Sequence, residues 1–400
     1  MNKKVSILLV GISGYGNLYL KELLTNKTES AYLSGVVDIN PKKSSDYEEV
    51  IKRRIPIYDS MEEFYQQQQA DLAIISTPIH LHEEQSSYAM NHGSHVLCEK
   101  PMASNPNDIE IMIETRNKTG KFLGIGFNWS FNPSVLQLKQ DILNGNFGKP
   151  KRFKTMVQWP RNEAYYNRSA WAGKRYSQDG RMIFDSVANN ATAHFLHHLL
   201  YLTGDQIDRS ARMDAVTAEL YCTNHIETFD TCAVQIKTKN DVDIYYYATH
   251  AVKENSDPRF ILEFENATIT YNPNKDTNDM IAVWEDGSQK FYKNPEENHL
   301  NKLNVCIDAI LTSNYQIPCG PEAASVHVEC IHAMHESVSA IPSFPDKIVH
   351  YDEFERLYWI DGLDKDLAEC YTNWCLPSDL NFEWSVRGKT IKVDSLQNEF

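Results

Sequence analysis

The feature that most constrains the fold is a strand, a glycine-rich turn and a helix within the first 24 residues. Val5 to Val10 form an apolar run of strand length, and leucines from Leu18 to Leu24 recur at helical spacing. The turn between them runs from Gly11 to Gly16. The first amides of a helix have no backbone partner, and together with the helix dipole they favour an anionic group. This turn is therefore expected to bind a phosphate.

The turn partly fits the dinucleotide fingerprint G-x-G-x-x-G. Gly11 and Gly16 match the outer glycines, whereas Ser13 stands where the second glycine lets the backbone approach the phosphates. Gly14 can supply the missing freedom, and the Ser13 hydroxyl can donate to a phosphate oxygen. The alternative is an ordinary tight turn, so the neighbouring segments must decide between the two.

A second predicted strand, Tyr32 to Val37, ends in Asp38. This is the interval at which a carboxylate accepts hydrogen bonds from the adenosine ribose. Asp38 would repel a 2′-phosphate, so NAD is predicted, while Lys42 and Lys43 lie close enough to keep NADP possible. The alternative is a solvated acid that begins a turn.

Strand and helix patterns alternate up to residue 126, which predicts a doubly wound parallel sheet. Further strands are expected at 72–75, 95–98 and 122–126, with helices near 83–91 and 107–118. The glutamines at 66–69 are expected to end a surface helix.

The length of 400 residues favours two domains, because a single hydrophobic core stops growing below that size. After residue 126 consecutive strands with short turns predict a mostly antiparallel sheet. The strands are expected at 151–159, 231–237, 243–252, 260–264, 267–271 and 281–284, after a helix over 133–143. We expect an α/β Rossmann domain over residues 1–127. An α+β domain over 128–400 is expected to bind substrate and mediate oligomerisation.

The charge balance and the cysteines narrow the possible partners and compartment. The chain has a formal net charge of −15 and no long basic run, so nucleic acid is not an expected partner. The apolar run from Val5 is too brief for a signal peptide or a membrane span, and no membrane partner is expected. Eight scattered cysteines without paired CxxC spacing predict reduced thiols and a cytoplasmic protein.

Two segments resemble the Gfo/Idh/MocA family of sugar and polyol dehydrogenases: Ser76-Thr77-Pro78 with His82, and 93–101, which ends in Glu99-Lys100-Pro101. The resemblance is close over residues 5 to 132 and looser beyond. It implies that Lys100 reaches the substrate hydroxyl beside the nicotinamide and that Glu99 approaches the nicotinamide ribose.

A lysine at the carboxyl end of such a strand can stabilise a developing alkoxide and move a proton. The alternative is a surface lysine at a strand end. The residues expected at the cofactor are Gly11, Ser13, Gly14, Tyr15, Gly16, Asp38, Thr77, Pro78, His82, Glu99, Lys100 and Asn128.

The segment 185–204 resembles the family's D-x-G-x-H-x-x-D helix in altered form. His194 matches the histidine, while Asn190, Thr192 and His197 replace the first aspartate, the glycine and the second aspartate. His194 can relay a proton, whereas Asn190 can only orient a hydroxyl. The alternative for His194 is a core histidine with satisfied hydrogen bonds, and His197 is interpreted as such a core residue. The predicted catalytic residues are Lys100, His194 and Asn190.

Aromatic and cationic residues concentrate between Trp159 and Arg175. Aromatic rings stack on sugar rings, and guanidinium groups bind carboxylate or phosphate, so an acidic or phosphorylated sugar would suit this stretch. The alternative is an aromatic-rich interface. The residues expected to contact substrate are Lys100, Trp159, Arg161, Tyr166, Arg168, Trp171, Asn190 and His194.

Histidines 80 and 82, and the helix carrying His327, Cys330, His332 and His335, do not complete a zinc spacing, so no metal is predicted. The leading hypothesis is hydride transfer between a nicotinamide cofactor and a small carbohydrate or polyol. Two alternatives remain open: an NAD-dependent, redox-assisted glycoside-cleaving enzyme and a non-catalytic sugar or dinucleotide sensor. A homodimer or homotetramer through the C-terminal sheet is expected.

Overall fold

A computed structural model describes residues 4–27, 29–273 and 277–393. The chain divides into two compact units. Unit 1 comprises Met1–Asn132 and Asn298–Ser325, and unit 2 comprises Pro133–Glu297 and Val326–Phe400. The predicted division after residue 127 assigns Asn298–Ser325 to the second domain, whereas this segment belongs to unit 1.

Strands and helices alternate through the first part of unit 1, as the sequence predicts. They are β1 (Val5–Val10), α1 (Gly16–Thr25), β2 (Ala31–Val37), α2 (Tyr47–Lys52), β3 (Ile57–Tyr58), α3 (Met61–Gln67), β4 (Leu72–Ile75), α4 (His82–Asn91), β5 (His95–Cys98), α5 (Pro106–Thr119) and β6 (Leu123–Ile125).

The six strands of unit 1 form a parallel sheet of order β3-β2-β1-β4-β5-β6. Every residue of β4 and β5 is buried, as expected when helices cover both faces of a sheet. The chain order reverses between β1 and β4, and the carboxyl ends of strands at such a point border a ligand crevice. The predicted Rossmann fold is confirmed.

Unit 2 begins with a helix and then builds a large sheet. Its elements up to residue 292 are α6 (Pro133–Leu143), β7 (Pro150–Gln158), α7 (Glu163–Tyr166), α8 (Ala193–Leu202), β8 (Met213–Tyr221), β9 (Thr231–Thr238), β10 (Asp243–Thr249), β11 (Ser256–Phe264), β12 (Ala267–Tyr271), β13 (Met280–Trp284) and β14 (Gln289–Tyr292).

The remaining elements are shared between the units. They are α9 (Asn301–Thr312), α10 (Pro321–Ser337), β15 (Val349–Asp352), β16 (Leu357–Ile360), α11 (Leu363–Asn373) and β17 (Ile391–Lys392). Helix α9 lies in unit 1. The large sheet has the order β14-β13-β12-β11-β7-β10-β9-β8-β17. Only its β7–β10 pair is parallel among the described strand pairs, which confirms a mostly antiparallel sheet.

Helix α11 covers part of one face of this sheet. Its apolar side chains Leu363, Leu367 and Tyr371 share a buried cluster with Tyr247 of β10. In the described residues of the chain no helix is long and apolar enough to cross a membrane.

Candidate active site

The outer glycines of the N-terminal turn are required by close backbone contacts. Gly11 has a φ of 82°, and a Cβ there would lie 2.5 Å from the carbonyl oxygen of Ser76. A Cβ on Gly16 would lie 1.9 Å from the carbonyl oxygen of Gly11. The turn therefore packs against the residue that follows β4, and neither glycine tolerates a side chain.

The middle of the turn fits a phosphate. Gly14 has a φ of 57°, and a Cβ there would meet no atom within 4 Å, so the backbone is open on this side. The Ser13 hydroxyl is buried and finds no hydrogen-bond partner within the part of the chain that is described. A buried, unsatisfied hydroxyl is costly, and a phosphate oxygen would satisfy it.

Asp38 lies directly after β2 and braces the glycine turn. Its Oδ2 accepts a hydrogen bond of 2.9 Å from the amide of Ile12, and its Oδ1 accepts one of 2.7 Å from the amide of Asn40. Each carboxylate oxygen has a second lone pair, so Asp38 can still accept from ribose hydroxyls.

His82 joins the two segments that carry the family resemblance. The His82 side chain is 1 % exposed, with Nδ1 2.8 Å from the carbonyl oxygen of Pro101 and Nε2 3.0 Å from that of Thr77. Burial lowers the pKa of His82. Both ring nitrogens thus face backbone oxygens, and the ring fixes one loop against the other.

Glu99 is a buried carboxylate held by three groups of unit 1. Its Oε1 accepts a 2.6 Å hydrogen bond from the Tyr19 hydroxyl and forms an ion pair with the Lys302 ammonium. Its Oε2 accepts from the amide of Lys100 at 3.3 Å. Burial, with the Glu99 charge second, raises the pKa of Tyr19 well above its usual range, so that hydroxyl stays protonated and donates.

Lys302 also connects Glu99 to two other predicted cofactor residues. Its ammonium lies 4.6 Å from the ring centre of Tyr15, and the Tyr15 hydroxyl donates to Oδ1 of Asn128 at 3.3 Å. Lys302 is not among the site residues predicted from the sequence. Its signal was available: on α9 the lysine lies on the same buried side as Cys306 and Ile310, where an apolar residue is expected.

Lys100 follows β5 at the carboxyl edge of the parallel sheet and is half-buried. Its neighbour Glu99 is 7 % exposed. The structure therefore brings Lys100, Glu99, Tyr15 and Asn128 together in unit 1, beside the turn that fits a phosphate.

In unit 2, His194 lies in the first turn of α8 and is half-buried, and Asn190 precedes that helix. Asn190 donates to Oδ1 of Asp185 at 2.8 Å. The other oxygen of Asp185 accepts from the amide of Gly173 at 2.6 Å and from Arg168 at 3.3 Å. Asp185 is 3 % exposed, so it is a buried hub that the sequence prediction left out.

The predicted aromatic and cationic residues form one cluster in unit 2. The Arg168 guanidinium lies 3.9 Å from the ring centre of Tyr165 and 5.0 Å from that of Trp171. Arg161 lies 5.1 Å from the Tyr165 ring and 5.5 Å from the Trp159 ring. Such contacts hold cations over aromatic faces.

The cations of this cluster differ in their acidic partners. Arg168 pairs with Asp185, and Lys174 pairs with Glu227 at 2.9 Å. Arg161 contacts no carboxylate among the described residues, and its Nη1 donates to the carbonyl oxygen of Pro160. Arg161, which is half-buried over two aromatic rings, is therefore well placed to meet an anionic group.

Tyr166 and four histidines of unit 2 are held by a hydrogen bond or by burial and ring packing. The Tyr166 hydroxyl lies 2.9 Å from Nδ1 of His250, whose pKa burial lowers well below its usual range. Burial also lowers the pKa of His197 well below its usual range. His197 is 1 % exposed, in agreement with its interpretation as a core residue. His332 and His335 pack against the Phe184 ring.

Two family models match the chain. Residues 5–127 match the oxidoreductase family with an NAD-binding Rossmann fold, and residues 135–270 match the Gfo/Idh/MocA C-terminal domain.

Curated relatives include dehydrogenases of sugars and inositols. A scyllo-inositol 2-dehydrogenase (NADP(+)) of Bacillus subtilis is 40% identical over 83 residues, 21% of this chain and 25% of the relative. A glucose-6-phosphate 3-dehydrogenase of the same species is 28% identical over 162 residues, 40% of this chain and 43% of the relative. The chain thus spans less than half the length of these relatives.

Solved structures share the fold over most of both chains. The WlbA dehydrogenase of Bordetella pertussis, in complex with NADH and UDP-GlcNAcA, has a TM-score of 0.67 at 20% identity, covering 83% of this chain and 96% of that one. The UDP-N-acetylglucosamine 3-dehydrogenase of Acidithiobacillus ferrooxidans has a TM-score of 0.66 at 16% identity, covering 83% and 97%.

Proposed function

Because the chain belongs to the Gfo/Idh/MocA oxidoreductase family, we propose that it transfers a hydride between a sugar, sugar acid or polyol and a nicotinamide cofactor. The observation that carries the proposal is the position of Lys100. It lies at the carboxyl end of β5, next to a buried carboxylate and in the same unit as a turn that fits a phosphate.

NAD is the proposed cofactor, held by the glycine turn, Ser13 and Asp38. The open backbone at Gly14 and the unsatisfied Ser13 hydroxyl suit the pyrophosphate. The Asp38 carboxylate suits the ribose and opposes a 2′-phosphate. Asp38→Ala should shift the ratio of Kd values by about tenfold toward NADP, equivalent to about 1.4 kcal/mol. An unchanged ratio in a fluorescence titration would contradict this role.

Bound NAD supplies the hydride acceptor, and the protein manages the proton of the reacting hydroxyl. The Lys100 ammonium is proposed to hydrogen-bond the substrate oxygen and to stabilise the charge that develops on it. His194 is proposed as a proton-handling group, and Asn190, which is held by Asp185, as a group that orients a hydroxyl. His82 is proposed to position the loops of Thr77 and Pro101 rather than to react.

The proposed substrate carries an anionic group. Arg161 lies between aromatic rings and meets no carboxylate in the described part of the chain. Arginine recognises carboxylate and phosphate with paired hydrogen bonds. A sugar phosphate or a sugar nucleotide is therefore favoured over a neutral polyol. The names of one curated relative, a glucose-6-phosphate dehydrogenase, and of one solved neighbour's ligand, UDP-GlcNAcA, are consistent with this choice.

A substrate screen with two lysine variants tests the activity. Glucose 6-phosphate, UDP-GlcNAcA, myo-inositol and scyllo-inositol are supplied with NAD or NADP, and reduced nicotinamide is followed by absorbance. Lys100→Met should lower turnover about 10²–10⁴-fold while NAD still binds. The exposed Lys118→Met is the matched control and should keep full turnover.

Three outcomes of this screen would redirect the proposal. Unchanged turnover in Lys100→Met would remove the assigned role. Release of a leaving group without net NADH would indicate redox-assisted glycoside cleavage. Tight cofactor binding without redox change on any compound would indicate a sensor.

We also propose a homodimer or homotetramer through the large sheet of unit 2. Because α11 covers β10, the interface is expected on β12 to β14, where Ile281 is half-buried and its cross-strand neighbour Phe291 is 56% exposed. Phe291→Glu should give a smaller mass in light scattering, whereas Phe354→Glu, at a residue that is 91% exposed, should not. Equal masses for the two variants would exclude this face.

A cytoplasmic location is proposed from the thiols. All eight cysteines are free of disulfides. Six of them are buried, and such a set of thiols suits a reducing compartment. Fractionation of cells that express the chain tests the location, and recovery outside the cytoplasm would contradict it.

A further inference from the structure

Lys302 is a fully buried lysine that the proposed reaction does not use. Its side chain is 0 % exposed, and it reaches Glu99 from α9, 203 residues farther along the chain. Besides the ion pair, its ammonium donates to the carbonyl oxygen of Gly126 at 3.0 Å. A buried lysine is tolerated only when its charge and its donors are satisfied, so this position is built for a cation.

The backbone at Gly126 leaves space for the Glu99 carboxylate. A Cβ on Gly126 would lie 2.9 Å from Glu99 Oε1 and 3.0 Å from Oε2, so only a glycine leaves room for the carboxylate. The Tyr19 hydroxyl donates to Oε1, and the amide of Lys100 donates to Oε2. The carboxylate thereby fixes the backbone of the residue proposed to act on the substrate.

We propose that Lys302 is a positioning residue that sets the charge beside the nicotinamide ring and so the balance between binding of oxidised and reduced cofactor. This inference rests on the proposed function, because it requires cofactor at the carboxyl end of β5. The oxidised ring carries a positive charge that the reduced ring lacks. Any change in the local charge therefore affects NAD⁺ and NADH differently.

The charges of Glu99 and Lys302 determine the direction in which the relative affinity for NAD⁺ and NADH changes. With Lys302 present, the Glu99 charge is balanced and attracts the oxidised ring little. Without Lys302, an ionised Glu99 attracts the oxidised ring. Without Glu99, Lys302 repels it. Charges several ångströms apart in a protein environment change such an equilibrium by about tenfold.

The test is the ratio of Kd(NAD⁺) to Kd(NADH), measured by calorimetry on the full chain. Lys302→Gln, whose amide can still donate to Glu99, should lower the ratio about tenfold, and Lys302→Met should do the same. Glu99→Gln should raise it. The double variant Lys302→Met with Glu99→Gln should return to within about twofold of the original ratio, since a neutral pair replaces a balanced one. Lys118→Met is the control lysine.

A merely structural role would change both Kd values by one common factor. Equal changes for NAD⁺ and NADH, or a shift in the same direction in the Lys302 and Glu99 variants, would overturn the proposal. If neither Lys302 variant folds, Glu99→Gln decides alone: a raised ratio supports the proposal and an unchanged ratio overturns it. Failure of the unmodified chain to bind either nucleotide would instead refute the proposed cofactor function.

Discussion

The two units hold their charged groups in opposite ways. In unit 1, Glu99 and Lys302 are 7 % and 0 % exposed and satisfy one another inside the fold. In unit 2, Arg161 and Arg168 lie over aromatic rings and remain partly open to solvent. Among the described residues that contact this cluster, Asp185 and His250 are buried to a comparable degree, at 3 % and 1 % exposure.

This difference in burial determines how strongly each charged group depends on its partner. A buried ion pair depends on both partners, because removing one leaves an uncompensated charge. A cation on an aromatic face at the surface can be exchanged with little loss of stability. We therefore expect substitutions in the buried pair of unit 1 to cost more stability than substitutions of the partly exposed cations of unit 2.

The largest expected effect is the loss of Lys302. Lys302→Met should lower the free energy of unfolding by about 3–5 kcal/mol, because Glu99 remains buried and unpaired. Adding Glu99→Gln should restore most of this loss. Urea denaturation measures both, with Lys118→Met as the control. A loss below about 1 kcal/mol would show that the pair resembles a surface salt bridge.

The second largest loss of stability is expected when the charge of the buried Asp185 in unit 2 is removed. Asp185→Asn keeps the size of the side chain but removes charge-assisted hydrogen bonds to Gly173, Asn190 and Arg168. The free energy of unfolding should fall by about 1.5–3 kcal/mol. Asp179→Asn, at an exposed acid of the same loop, is the control and should change little. An equal change in the free energy of unfolding for the two variants would show that the hydrogen bonds of Asp185 do not contribute to stability.

A further effect should appear with pH, and its size per pH unit is smaller than either of the two losses above. Burial lowers the pKa of His198 to about 3, whereas an unfolded histidine titrates near 6.5. Below pH 6.5 the unfolded chain binds a proton that the folded chain excludes. The contribution of His198 to the free energy of unfolding is therefore fully present above pH 6.5. It falls by about 1.4 kcal/mol per pH unit as the pH drops toward 3. His198→Leu should reduce the measured slope between pH 6 and 4.5 by that amount. An unchanged slope would show that His198 does not titrate as its burial implies.

The smallest effect on stability is expected from Arg161, a half-buried cation that meets no carboxylate among the described residues. Arg161→Met should cost less than about 1 kcal/mol of unfolding free energy, because it loses contacts with the Trp159 and Tyr165 rings rather than an ion pair. The same variant should lower kcat/KM for a sugar phosphate more than for a neutral inositol. A stability loss as large as that of Lys302→Met would remove the difference between the units.

The fold could be predicted because its signals are local. Alternating strand and helix patterns indicate the parallel sheet, and the strands after residue 230 indicate the antiparallel one. Strand β8 escaped prediction because Glu219, which is 0 % exposed, interrupts its apolar pattern. Its carboxylate accepts from Tyr221 and Ser378, and the second of these partners lies 159 residues away.

Residues of the candidate site could be predicted only where they lie within short sequence motifs. Lys100 and Glu99 lie in one such motif, and the turn at Gly11 lies in another. Lys302 could not be placed beside Glu99, because nothing in its own segment indicates a partner 203 residues away. Asp185 was likewise invisible as a hub, since its contacts with Gly173 and Arg168 depend on the folded loop.

Transfer of deuterium from the substrate to NAD tests hydride transfer itself. A sugar phosphate or sugar nucleotide that turns over in the screen is prepared with deuterium on the reacting carbon and incubated with NAD. If hydride transfer is the net reaction, the NADH that forms carries one deuterium at C4 and accumulates with the oxidised sugar. Deuterium released to water, or no accumulation of NADH while the substrate is consumed, would contradict hydride transfer as the net reaction of this protein.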